Sequence, residues 1–118
     1  MIIGIGIDLV EIPRLAQSLE RQPRLPKRIL SPAEYARYIN FSNQRRRLEF
    51  LAGRFAVKEA LSKALGTGIG KSIAFQDIHC DNDSQGKPYI VFDGYRVHVS
   101  ISHTDHYAVS QVILEQDD

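Results

Sequence analysis

The stretch MIIGIGIDLVEI at the start of the chain constrains the fold more than any other. Ile3, Ile5, Ile7 and Leu9 share one side of an extended chain, and Gly4, Gly6 and Asp8 share the other. That period of two predicts a strand. Glycine is a poor strand former, so two on one face predict a neighbour that packs close to the backbone there. A carboxylate in such a strand is costly unless it is exposed, paired or bound to a metal. Asp8 is therefore either a residue at a frayed strand end or a metal ligand on the glycine-lightened side.

The rest of the chain changes period. Pro13 suits the first turn of a short helix through about Gln22, and SPAE at 31–34 is a capping box with proline at its first helical position. A third helix is expected from near Ser42 to Leu65, stopped by Gly66, with Leu48, Leu51, Phe55, Leu61 and Leu65 as its apolar stripe. Strands follow: SIAFQDIHC, then KPYIVF after the turn DSQG, then YRVHVSIS after the hairpin signal DG, then YAVSQVILE. The fold class is α+β: one strand, helices, then an antiparallel meander. The 118 residues read as one domain, 1–118.

Composition narrows the function. The net charge of +1 points to no nucleic acid and no membrane partner. No apolar run reaches the ~18 residues that span a bilayer, and the start lacks the basic region of a signal peptide, so the expected compartment is the cytoplasm. A single cysteine, Cys80, excludes an internal disulfide and a multi-cysteine zinc site, and reads as a small strand residue.

The chemistry concentrates in FLAGRFAVKEALSKALGTGIG, residues 50–70. Glu59 and Lys63 are four apart and share a helix face, either as a surface ion pair or as working groups. Ser62 and Lys58 sit beside them. Gly66, Gly68 and Gly70 form either a helix stop with a turn or a backbone nest for phosphate oxygens. The order of residues is not that of a Walker A loop, because the glycines follow a helix. Asp8 and Glu59, with substrate phosphates and water, would satisfy Mg²⁺. His103, in SISHTDHY, is a phosphate donor or a turn residue, and His98, inside a strand, reads as structural.

Taken together, GIGIDLVEIPR at 4–14, the 50–70 segment, GKPYI at 86–90 and VSISHTDHYAVSQVI at 99–113 closely resemble the holo-acyl-carrier-protein synthases, the short bacterial 4′-phosphopantetheinyl transferases. The resemblance implies an α+β homotrimer with active sites between subunits. It implies transfer of phosphopantetheine from coenzyme A to a serine of an apo acyl carrier protein, releasing adenosine 3′,5′-bisphosphate. Asp8 and Glu59 stand where the family holds Mg²⁺, and Lys63 matches the lysine near the pyrophosphate, which makes Asp8, Glu59 and Lys63 the catalytic candidates. Arg54, Ser62, Lys63, Gly66, Thr67, Gly86, Lys87, Pro88, His103 and Thr104 match positions lining the coenzyme A site. Arg14, Arg21 and Arg24 match the basic helix that meets the carrier protein. Departures are mild: Pro13 precedes that helix, Val57 and Ser110 stand where alanine is common, and the connection VFDGYR is short. Whether Glu59 takes the serine proton directly or through water is open at this level. Two other readings fit the residues alone: a Mg²⁺-dependent hydrolase of a nucleotide pyrophosphate, and a non-catalytic nucleotide-binding oligomer.

Overall fold

A computed structural model of the chain describes residues 1–67 and 73–116. Strand β1 (Ile2–Glu11) leads directly into helix α1 (Ile12–Arg21). Three more helices follow, α2 (Leu25–Ile29), α3 (Pro32–Asn40) and α4 (Gln44–Leu65). After a single 3₁₀ turn at Phe75–Asp77 come β2 (Cys80–Asn82), β3 (Pro88–Ile90), β4 (Tyr95–His103) and β5 (Tyr107–Gln116).

The strands do not form one meander. β1, β5 and β4 make an antiparallel sheet in that order, and β2 and β3 form a separate two-stranded ribbon. The first strand therefore pairs with the last, from Gly4 opposite Leu114 to Glu11 opposite Tyr107. The strand expected over SIAFQDIHC is likewise not formed. Its Phe75–Asp77 portion is the 3₁₀ turn, and only Cys80 joins a ladder. Phe75 instead packs its ring 5.6 Å from that of Phe55, and its carbonyl accepts from Lys58. Side-chain partners on the long helix outweigh the local alternation.

The glycine face of β1 has the close neighbour its pattern requires. Helix α4 lies against it so tightly that a Cβ on Gly4 would stand 2.2 Å from the Ala64 carbonyl oxygen, and one on Gly6 would stand 1.9 Å from that of Ala60. The opposite face of β1 is open, with Ile3, Ile5, Ile7 and Leu9 all exposed. In the ladder Ile5 stands opposite Ile113 and Leu9 opposite Val109, which widens this apolar strip onto β5. In β4, however, Val97, Val99 and Ile101 pack inward beneath α4, and its outward residues Arg96, His98, Ser100 and Ser102 are polar.

The single apolar stripe expected on α4 is also too narrow a description. From Leu51 to Ser62 the helix is buried on almost every side, the sheet on one flank and α1, α2 and α3 on others. It joins two core clusters, one through Leu51, Ala52 and Ala56 to α1–α3, the other through Val57, Ala60 and Leu61 to the sheet and the β2–β3 ribbon. Its ends follow local rules. The Asn43 side chain accepts from Arg46 N–H at the start, and Gly66 closes the end at φ +80°. Of the two departures at positions where alanine is common, Val57 fills core space and the Ser110 hydroxyl donates to the Ser100 carbonyl at 2.9 Å.

Candidate active site

The close packing of α4 on β1 brings Asp8 and Glu59 into one cleft. Its volume is about 450 Å³, and Arg14 and Ser18 of α1 also line it. Lys63, one turn beyond Glu59, reaches across to β1, where its Nζ donates to Asp8 Oδ1 at 3.0 Å and to the Ile7 carbonyl at 3.1 Å. The Glu59–Lys63 spacing thus does not decide the partner: Lys63 pairs with Asp8. Burial pushes the Glu59 carboxyl above its ordinary value, the negative charge of Asp8 pushes it further, and Lys63 opposes both. Two carboxylates held this close repel each other, and a divalent cation relieves that repulsion. One or two carboxylates with waters and phosphate oxygens is the donor set Mg²⁺ prefers. The residues fit the ion, though no cluster of three or more His, Cys, Asp or Glu side chains occurs among the described residues.

A second cavity of about 390 Å³ is basic. Arg54, Gly86, Pro88 and His103, all expected around coenzyme A, line it together with Arg37 and Asn82. Arg54 lies on α4 five residues before Glu59, a net turn of about 140° round the helix, which separates the two sites. Its side chain is 7 % exposed, its Nη2 donates to Asn82 Oδ1 at 2.6 Å, and its guanidinium stands 4.6 Å over the Phe50 ring. Burial pushes the Arg54 guanidinium below its ordinary value. His103 is exposed at the end of β4, with Nε2 3.7 Å from Glu49.

Other expected residues take different places. Ser62 is buried, and its hydroxyl donates to the Glu59 carbonyl within α4. Lys87 opens onto a separate cleft with Tyr89 and His98, and its backbone N–H donates to Asp83. The Thr104 hydroxyl accepts from His106 and Tyr107 N–H, so it shapes the β4–β5 turn. Gly66 and Thr67 end α4, while Gly68 and Gly70 of the expected phosphate nest lie outside the described residues. Arg14 and Arg21 ride on α1, whereas Arg24 is past its end, at the cap of α2. His98 pairs across strands with Glu115 at 2.6 Å. Cys80 is buried, and burial pushes its thiol up, which leaves it inert at neutral pH.

Sequence reasoning missed the network behind the site. Lys58 is 0 % exposed and donates to Glu34 at 2.5 Å, to the Ile29 carbonyl at 2.8 Å and to the Phe75 carbonyl at 2.9 Å. Glu34 is the last residue of the capping box, the third of the helix, and it also accepts from Cys80 N–H at 2.9 Å. One carboxylate therefore joins α3, α4 and β2. The capping box located Glu34 in the sequence, but its reach to a lysine 24 residues away has no local signal. Arg37 and Asn82 were missed for the same reason.

With this geometry in view, comparison with known proteins is informative. The family model described as the 4′-phosphopantetheinyl transferase superfamily matches residues 4–114. A protein of Staphylococcus carnosus named holo-[acyl-carrier-protein] synthase is 62 % identical, covering 98 % of this chain and 99 % of its own. Its namesake from Staphylococcus aureus is 59 % identical, covering 98 % of each. Among solved structures, a holo-(acyl-carrier-protein) synthase from Bacillus anthracis in complex with CoA (3′,5′-ADP) superposes with a TM-score of 0.91 at 46 % identity, covering 99 % of both chains. The Helicobacter pylori synthase in complex with coenzyme A superposes at 0.81 and 32 % identity, over 94 % of this chain and 99 % of that one.

Proposed function

Since the chain belongs to the 4′-phosphopantetheinyl transferase superfamily, among its holo-acyl-carrier-protein synthases, we propose that it moves 4′-phosphopantetheine from coenzyme A to a serine of an apo acyl carrier protein. The observation that carries the chemistry is the cleft where Asp8 and Glu59 meet, with Lys63 on Asp8. The serine oxygen forms a new bond to the phosphorus that bears pantetheine. The bond from that phosphorus to the bridging oxygen breaks, and adenosine 3′,5′-bisphosphate leaves with the oxygen and the electron pair.

Such transfers depend mainly on position and charge. Asp8 and Glu59 are the residues that would hold Mg²⁺, which supplies charge neutralisation at the pyrophosphate when bound. Glu59, which lines the cleft from α4, receives the serine proton. Lys63, with its side chain 54 % exposed, is free to turn from Asp8 toward the departing phosphate. The basic cavity around Arg54 and His103 takes the nucleotide end of coenzyme A. Arg14 lines the carboxylate cleft from α1, so α1, with Arg14 and Arg21, is the docking helix for an acidic carrier protein. Arg24 adds charge at the next helix cap.

The assembly is a homotrimer whose subunits meet through the open apolar face of β1 and β5, and it places the basic cavity of one copy beside the carboxylate cleft of the next. The exposed isoleucines supply the surface; the number three comes from the family resemblance. The deciding experiment is intact-mass spectrometry of apo carrier protein incubated with the purified protein, Mg²⁺ and coenzyme A. A gain of one phosphopantetheine, abolished by EDTA, is expected. Phosphopantetheine released without any gain by the carrier would make the protein a hydrolase.

A further inference from the structure

On the side of α1 opposite the carboxylate cleft, α1, α3 and the first turns of α4 enclose a groove of about 450 Å³. It shares no lining residue with that cleft or with the basic cavity. Ala16 and Leu19 of α1 and Leu48 of α4 form apolar walls, and both leucines are only partly buried against the core. Arg47 supplies charge. Its guanidinium stands 5.4 Å over the Tyr38 ring, and its Nη2 donates to the Ile39 carbonyl at 3.1 Å and the Phe41 carbonyl at 2.7 Å. Carbonyls answer its hydrogens and remove none of its charge. Arg47 takes part in no ion pair among the described residues, and its Nε is buried without an acceptor. The other cation lining the groove, Arg45, already pairs with Glu49 at 3.1 Å. Glu20 is the sole acid among the described lining residues; it is exposed and pairs with neither arginine.

A buried donor left unmade on an unpaired cation is costly, and a negatively charged acceptor removes the cost. One uncompensated guanidinium matches a head group of one charge, and its parallel donors match a carboxylate. Burial pushes the Tyr38 phenol up, so at neutral pH it carries no charge that would repel an anion. The walls beside Arg47 suit hydrocarbon. The volume is that of a small-molecule site with apolar lining and few polar groups. A partner's helix, about 10–12 Å across with its side chains, is too wide to enter it.

We propose that the groove between α1, α3 and α4 binds an amphiphilic carboxylate of the fatty-acid class. The carboxylate pairs with Arg47, and the alkyl chain lies along Ala16, Leu19 and Leu48. The site is independent of the transfer reaction, so it stands or falls apart from the transferase reading.

The test is calorimetric titration of the full chain with dodecanoate, below the concentration at which it forms micelles. One site per chain is expected. Each buried methylene contributes about four-fold, so hexanoate should bind at least about ten-fold more weakly. Dodecanol, which keeps the chain and lacks the charge, should also lose about ten-fold or more. Arg47→Gln and Gln44→Glu should each weaken dodecanoate about ten-fold. Gln44 is exposed at the first position of α4, where an acid suits the helix, so that variant tests the site even if Arg47→Gln does not fold. Ile5→Lys with Ile7→Lys, on the open face of β1, should leave dodecanoate binding unchanged. Dodecanol as tight as dodecanoate would remove the head-group pairing and overturn the inference. So would affinity that survives Gln44→Glu but falls with the β1 lysines, which would put the ligand on the open strand face. A wild type that ignores dodecanoate, with Gln44→Glu raising the KM for carrier protein, would make the groove a contact for a macromolecule and overturn it too.

Discussion

Gly6→Ala probes how this fold makes its site. The added Cβ would stand 1.9 Å from the Ala60 carbonyl oxygen and 2.8 Å from Ala64 N. Both are backbone atoms of α4, so no rotamer change and no truncated side chain relieves the collision. Ordinary contact begins at 3.4 Å, which requires the strand and helix to part by about 1.5 Å. Glu59 precedes Ala60 on α4, and Asp8 lies two residues beyond Gly6 on β1, so that parting acts directly on the pair. A misplacement of about 1 Å at reacting groups can lower rate about 100-fold, so a fall in kcat/KM of at least that size is expected. Overpacking should also lower stability by about 1–3 kcal/mol. Steady-state transfer to carrier protein and urea unfolding of the same preparation read the two effects. Gly53→Ala is the stability control, since its Cβ meets only Ile101 Cγ2, at 3.3 Å, a side chain able to yield. A Gly6→Ala protein with activity within two-fold of wild type and an unmoved unfolding midpoint would refute the argument that helix–strand contact sets the site.

Asp8→Asn and Glu59→Gln keep shape and delete charge; each should cut kcat at least about 100-fold with the fold retained by circular dichroism, whereas near-normal rates at low Mg²⁺ would remove both from metal binding. Lys58→Met leaves Glu34 buried without its cation, a loss of about 3–5 kcal/mol in urea unfolding; adding Glu34→Gln should restore part of it, and a single-variant loss under about 1 kcal/mol would show that the pair does not hold α3 on α4. Ile5→Lys with Ile7→Lys places two charges on the open face of β1, and light scattering should then find folded monomer; an unchanged oligomer would put the interface elsewhere. Arg14→Glu with Arg21→Glu should raise the KM for carrier protein about ten-fold, or 1.4 kcal/mol, and leave that for coenzyme A, with added salt imitating the effect in wild type; equal rises for both substrates would take α1 out of docking.

What was legible in the sequence was written in short-range steric rules. Glycines on alternate positions of β1 announced a close neighbour, because nothing but hydrogen fits beneath the Ala60 and Ala64 carbonyls. Ser31 and Glu34 marked the start of α3, Gly66 the end of α4, and Asp93-Gly94 the turn where Phe92 bridges Tyr95. Local periodicity put Asp8 on a strand and Glu59 and Lys63 on a helix, and the packing of β1 on α4 brought them together. Elsewhere the local pattern was ambiguous. Five residues are too few for helical periodicity, so α2 went unseen, and the alternation before Cys80 suited a strand until Phe75 met Phe55 and Lys58. Only the tertiary structure decided that β1 pairs with β5, which of its faces stays open, and that Lys58 is buried while Lys63, five residues on, is not. The reason is physical. A cap or a tight turn is settled by atoms a few residues apart. The fate of a charge depends on which distant element arrives beside it, and Lys58 could be buried because α3 brings Glu34 to it.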